Sequence, residues 1–210
     1  MSVYLPKSFA TRDDSAIARL LNDYPFAMLV TATGAEPQIS HLPLLHRSDP
    51  KPHGALIGHV ARANPHWQLL TEHPSIAVFQ GPHAYVSPSW YTEPAAMVPT
   101  WNYAVVHVHG TVELVEDRDA TLATVNALTA RFESERAAPW HLQLEGARLD
   151  AMLGAIVAFR MTITRIDAKF KLSQNRGTAD RERVIAGLRA EEHPEATATA
   201  AWMTDYARKA

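Results

Sequence analysis

The sequence predicts an α+β fold dominated by β structure, a small antiparallel barrel with helices packed outside it. Three observations carry that expectation. Six runs of strand character follow one another, punctuated by Pro and Gly: FAMLVTATG, PQISHLPLLH, GALIGHVAR, SIAVFQGPHAYVS, NYAVVHVHGTVELV and GAIVAFRMTITRID. The fifth alternates cleanly, with Val106, Val108, Val112 and Leu114 on one face and His107, His109, Thr111 and Glu113 on the other. Helical periods stand at the two ends and once between, not after each strand, which argues against a doubly wound parallel sheet.

Each element has its own local reason. TRDDSAIARLLNDYP (11 to 25) opens on a possible capping box of Thr11 and Asp14, carries Ile17, Leu20, Leu21 and Tyr24 as a stripe, and closes at Pro25. DRDATLATVNALTARFESER (117 to 136) spaces Leu122, Val125, Leu128 and Phe132 as a helix would. GAIVAFRMTITRID (154 to 167) is rich in β-branched residues and reads as a long strand. TADRERVIAGLRA and EATATAAWMTDYARK read as closing helices at about 178–209. With no internal repeat and no low-complexity linker, residues 1–210 are expected to form one domain.

Composition removes several function classes. The 47% apolar and 20% charged content is that of an ordinary globular chain. A net charge of −2 supplies no general attraction for nucleic acid or anionic lipid. Zero cysteines exclude disulfides, thiolate metal sites and a cysteine nucleophile, and they fit a reducing cytosol. No stretch has the length of a signal peptide core or a membrane span, so a soluble cytoplasmic protein is expected. There is no GxSxG elbow, GxGxxG, GxxxxGK[ST] or HExxH. His107 and His109 share a strand face and could chelate, but no third ligand stands at a recognisable spacing, so no metal is expected.

Polar residues crowd instead at strand ends. His41 sits among apolar neighbours, GHVARANPH supplies His59, Arg62 and Asn64, and AKFKLSQNR supplies Lys169, Lys171, Ser173, Gln174, Asn175 and Arg176. A guanidinium ringed by amides and hydroxyls is what a phosphate needs. Gly58 would let a flat ring approach the backbone. Asn64 can cap a helix that starts at Pro65, whose N-terminus would favour an anion. An ordinary surface role for Arg62, and a plain polar turn for KLSQNR, remain open on spacing alone.

YLPKSF, SHLPLL, GHVARANPHW, YVSPSWY, VPTWNYAVVHVHG and KLSQNRG together resemble the PaiB family of FMN-binding split-barrel proteins, related to the pyridoxamine-phosphate-oxidase-like flavoproteins. The motifs stand in the family's order over about residues 3 to 190. The resemblance implies a six-stranded antiparallel split β-barrel and a homodimer with FMN at the subunit interface. It also implies a flavin-dependent oxidoreductase or a negative transcriptional regulator. Carried over motif by motif, it assigns cofactor binding to Ser40, His41, Leu42 and Leu44, then to His59, Val60, Ala61, Arg62 and Asn64, and finally to Lys171, Ser173 and Gln174. The loop SWYTEPAAMVPTW departs from the pattern, carrying Glu93 where a more basic loop is expected. Two alternatives stay open: a DNA- or partner-binding regulator using Arg181, Arg183 and Arg189, and a haem protein with His59 or His107 as axial ligand.

Overall fold

The run PQISHLPLLH, expected as one strand, divides at Leu44 in the computed structural model, which describes residues 3–34 and 36–207. Gln38–Pro43 (β2) pairs antiparallel with Phe26–Thr31 (β1), whereas Leu45–Arg47 (β3) pairs antiparallel with Ala55–Ala61 (β4). Pro43 has no N–H to give a ladder. Leu44 N donates to Pro25 O at 2.9 Å, outside either ladder, and the chain changes partners there. Seven strands therefore stand where six were expected. The others are Ser75–Val86 (β5), Thr100–Val115 (β6) and Ile156–Lys171 (β7), and the sheet order is β2-β1-β5-β6-β7-β4-β3. β1 with β5 and β4 with β7 are also antiparallel, so the mixed α and β architecture is as expected.

Among the described residues the α-helices are Asp14–Asp23 (α1), Arg118–Glu133 (α2), Gly146–Gly154 (α3), Thr178–Ala190 (α4) and Pro194–Ala207 (α5). Positions 208 and 209 of the expected last helix lie outside the described residues. None of the helices is long and apolar enough to cross a membrane. Asp13, not a Thr11–Asp14 box, caps α1: its Oδ1 accepts from Ser15 N at 2.9 Å and Ala16 N at 3.1 Å. The buried side of α2 is Thr121, Thr124 and Leu128, rotated from the expected stripe, and Phe132 is exposed. Both threonines tolerate burial because their hydroxyls donate to carbonyls, Thr121 to Asp117 O at 2.9 Å and Thr124 to Ala120 O at 3.0 Å. Helix α3 was not expected; its buried residues are the pair Leu149 and Leu153, too short a pattern to stand out.

The chain forms two compact units. The terminal unit comprises Met1–Asp23, Gln80–His107 and Asp167–Ala210; the middle unit comprises Tyr24–Phe79 and Val108–Ile166. The middle unit buries Leu29, Leu44, Leu56, Phe159 and Met161 completely. A Cβ on Gly58 would come within 2.6 Å of Leu44 Cδ2, so the absent side chain makes room for Leu44 and not for a flat ring. The terminal unit buries Leu20, Leu21, Tyr91, Phe170, Val184 and Leu188. Phe170 meets Trp202 and Tyr206 edge-on, and Gly187 lets α4 lie against Trp90.

Candidate functional site

Strand β4 alternates by face in its second half. Gly58 and Val60 point into the core, His59 is half-buried and Ala61 is exposed. Burial pushes the His59 imidazole below its ordinary pKa, so the ring is neutral near pH 7. Its Nδ1 is buried and has no hydrogen-bond partner among the described residues. A neutral ring nitrogen left this way is costly unless something else meets it.

Past the strand, Arg62 is exposed, yet two of its five N–H groups are already engaged. Nε donates to Gly154 O at 2.6 Å and Nη2 to Ile156 O at 2.9 Å. The guanidinium is thus held in a fixed plane, 6.0 Å from the Trp67 ring, with three donors remaining. Arg62 and Trp67 line a cleft of about 510 Å³ together with Arg118, Leu153, Ile156 and Val157. Arg118 there is paired with Asp150 at 2.7 Å.

Asn64 caps Pro65–Leu69, its side chain accepting from His66 N at 3.1 Å with Pro65 in the first turn, as expected. This element is a five-residue 3-10 turn, too short to develop a useful dipole. The expected attraction of a helix N-terminus for an anion is therefore absent here.

The capping amide is one end of a buried polar chain. Asn64 Nδ2 donates to Ser40 Oγ at 2.9 Å, Ser40 Oγ lies 2.8 Å from His66 Nδ1, and His66 Nε2 lies 2.8 Å from Thr31 Oγ1. Thr31 Oγ1 then meets Ser75 Oγ at 2.7 Å. His66 is 1% exposed, and burial lowers its pKa. A neutral ring offers one donor and one acceptor. One of the Ser40 and Thr31 hydroxyls therefore donates to the ring and the other accepts from it. The chain clamps the strand exit onto β2 and β1. Sequence reading placed Ser40 and Asn64 in the site but missed His66, Thr31 and Ser75. These partners lie 26 to 44 residues apart in the chain, and no local spacing marks them.

The other middle-unit candidates divide by face. Leu42, Leu44 and Val60 spend their side chains in the core, leaving only backbone for a ligand. His41 is exposed and stacks on Phe26 with ring centroids 6.4 Å apart. Phe26 and Ile39 on the same face are 67% and 50% exposed, large values for apolar side chains on a sheet.

In the terminal unit, Gln174 folds onto its own backbone: Oε1 accepts from Leu172 N, and Nε2 donates to Phe170 O. Lys171 and Ser173 line a separate cavity of about 200 Å³ with Phe9, Thr100, Asn102 and Arg176. Lys171 Nζ donates to Thr100 Oγ1 and to Trp101 O. Burial chiefly, and then the charges of Lys169 and Arg176, hold the Lys171 pKa below its ordinary value.

Two sequence alternatives meet local geometry. His109 accepts from Arg165 Nη2 at 3.0 Å, and no group of three His, Cys, Asp or Glu among the described residues could hold a metal ion. On α4, Arg183 Nε donates to Trp90 O at 3.0 Å and Arg189 Nη2 to Thr204 Oγ1 at 3.3 Å, which ties two of the three arginines to the protein's own surface.

The profile of the family described as "Putative FMN-binding domain" matches residues 3–165. "Protease synthase and sporulation protein PAI 2" of Bacillus subtilis is 35% identical over 211 residues, 99% of either chain. The FAD and heme binding protein of Mycobacterium smegmatis superposes with a TM-score of 0.62 at 20% identity, over 85% of this chain and 80% of that one. The flavocytochrome Anf3 of Azotobacter vinelandii gives 0.61 at 15% identity, over 77% and 69%. At such identities the two structures show a shared fold.

Proposed function

This chain belongs to the family described as "Putative FMN-binding domain", and from that premise we propose that it is a flavin-dependent oxidoreductase of the cytoplasm holding FMN noncovalently. The observation that carries the reading is the orphaned, buried Nδ1 of His59, three residues before a guanidinium fixed in plane with three donors to spare. The donor set fits the group. Arg62 supplies the planar fork for a phosphate, His59 a neutral ring nitrogen for a polar edge, and His41 and Ala61 are each exposed on their strands. When bound, FMN would supply hydride or electron transfer at its ring. The protein's part is to hold and orient. The Asn64–Ser40–His66 chain keeps the strand exit rigid, the two carbonyls keep Arg62 flat, and burial keeps His59 uncharged.

A homodimer belongs to this reading. The exposed Phe26 and Ile39 beside His41 are the kind of surface a second copy would cover. Sedimentation as a 23.2 kDa species at micromolar concentration would overturn it. The negative transcriptional regulator that the family resemblance implies is the second reading. A net charge of −2 and the inward ties of Arg183 and Arg189 weigh against direct DNA binding. Retention of duplex DNA at about 0.15 M salt would reverse that order.

The test is titration of FMN and riboflavin. Losing hydrogen bonds to a charged group costs roughly 1.5 to 3 kcal/mol. Arg62→Ala is therefore expected to weaken FMN by at least about tenfold and to leave riboflavin, which lacks the phosphate, nearly unchanged. Arg62→Lys recovers only part, because an ammonium has no planar fork. Equal losses for both flavins would show that Arg62 supports the loop and not the phosphate. A Soret band in place of flavin absorbance, lost in His59→Ala, would establish the haem alternative.

A further inference from the structure

We propose that the terminal unit's 200 Å³ cavity is a binding site for the phosphate group of a small molecule other than the flavin. Its lining supplies two cations, Lys171 and Arg176, the amides of Asn102 and Asn175, and the hydroxyls of Thr100 and Ser173, with no carboxylate among them. Lys169 adds a third positive charge that acts on Lys171. Cations gathered this way repel one another, and the arrangement is relieved when an anion enters.

The surroundings keep the cations from finding an internal partner. Lys171 Nζ is turned onto uncharged oxygens, Thr100 Oγ1 and Trp101 O. Arg176 lies 5.4 Å over the Tyr91 ring. The acid that acts on Arg176 is Asp180, whose Oδ1 accepts from Thr92 N at 2.9 Å and Thr92 Oγ1 at 2.8 Å and does not line the cavity. Asn102 is 1% exposed and Ser173 4%, and they are bonded to each other, with Asn102 Nδ2 donating to Ser173 Oγ at 2.9 Å and to Met203 Sδ at 3.3 Å, so the pair forms a fixed polar wall and the donors facing an anion are those of Lys171, Arg176 and Asn175. Ser173 adopts φ 61°, a left-handed conformation that a non-glycine residue seldom takes.

One observation separates this site from the flavin. The volume suits one phosphate and a few further atoms and is below the roughly 300 Å³ at which sites for drug-sized ligands begin. The resemblance assigned Lys171 and Ser173 to FMN; the proposal assigns them to a second ligand.

The experiment is equilibrium dialysis of the full chain with labelled inorganic phosphate, with and without saturating FMN. Phosphate is expected to bind equally in both conditions. Arg176→Gln should weaken it by at least about tenfold while FMN affinity stays within about twofold of wild type. Arg181→Gln, which changes a cation outside the cavity, should leave phosphate binding unchanged, and Asn175→Ala provides a second variant should Arg176→Gln fold poorly. Competition between FMN and phosphate, or selective loss of FMN over riboflavin in Arg176→Gln, would show that the cavity holds the flavin's own phosphate. No binding at about 10 mM phosphate, or equal losses in Arg181→Gln, would overturn the site altogether.

Discussion

The middle and terminal units each gather polar side chains, and they do so in opposite ways. In the middle unit the group around His66 is neutral, buried and connected: Asn64, Ser40, His66, Thr31 and Ser75 pass hydrogen bonds from one to the next. In the terminal unit the group around Lys171 is cationic, half-open and mutually repulsive. A closed neutral chain holds backbone in place, and its members are expected to matter for folding. A buried lysine held among like charges opposes folding and is kept for what it binds. Polar side chains thus serve architecture in one unit and recognition in the other, and the difference lies in charge: the first group is neutral and closed on itself, and the second carries cations that meet only uncharged partners.

The largest test of that contrast is His66→Ala. It empties a buried ring site and leaves Ser40 and Thr31 hydroxyls short of partners, so a loss of about 3 kcal/mol or more is expected in urea unfolding. A loss under about 1 kcal/mol would mean that the chain is not structural. Acid comes next. The folded pKa values of His66 and His59 are both depressed, so between those values and the unfolded value near 6.5 the unfolded state binds more protons. Stability is therefore full above about pH 6.5 and is lost as pH falls through the folded pKa values, by at most about 1.4 kcal/mol per pH unit for each ring. Unfolding measured from pH 7.5 to 5 should show the decline, and His66→Ala should flatten it. A profile with no slope in that window would break the assignment of two neutral imidazoles. The smallest effect is expected in the terminal unit. Lys171→Met removes two hydrogen bonds but also a cation held beside Lys169 and Arg176, and the two changes should nearly offset, within about 1 kcal/mol. A loss as large as that for His66→Ala would erase the distinction between the two groups.

Local pattern carried much of this molecule. The helical period of α1, the cap at Asn64 before Pro65, and the clean alternation of β6 all depend on neighbours within a few residues, and each was readable in the chain. Where a local rule had two solutions the reading slipped: Asp13 took the cap expected of Thr11 and Asp14, and α2 turned its threonines inward because their hydroxyls could bond back along the helix. The family resemblance also rested on sequence, because six motifs survive in order, and the matched profile agrees with it.

Sequence alone determined most of the elements, the type of cofactor and the residues rich in donors, because propensity, period and motif are properties of short stretches. Tertiary structure alone decided which donors remain available. Arg62 has lost two of its five to carbonyls 92 and 94 residues away, Gly58 makes room for Leu44, and Ser40 has joined a histidine 26 residues distant. Hydrogen bonds are exclusive and space is filled once, so a residue's chemistry is settled only when the fold has brought its competitors to it.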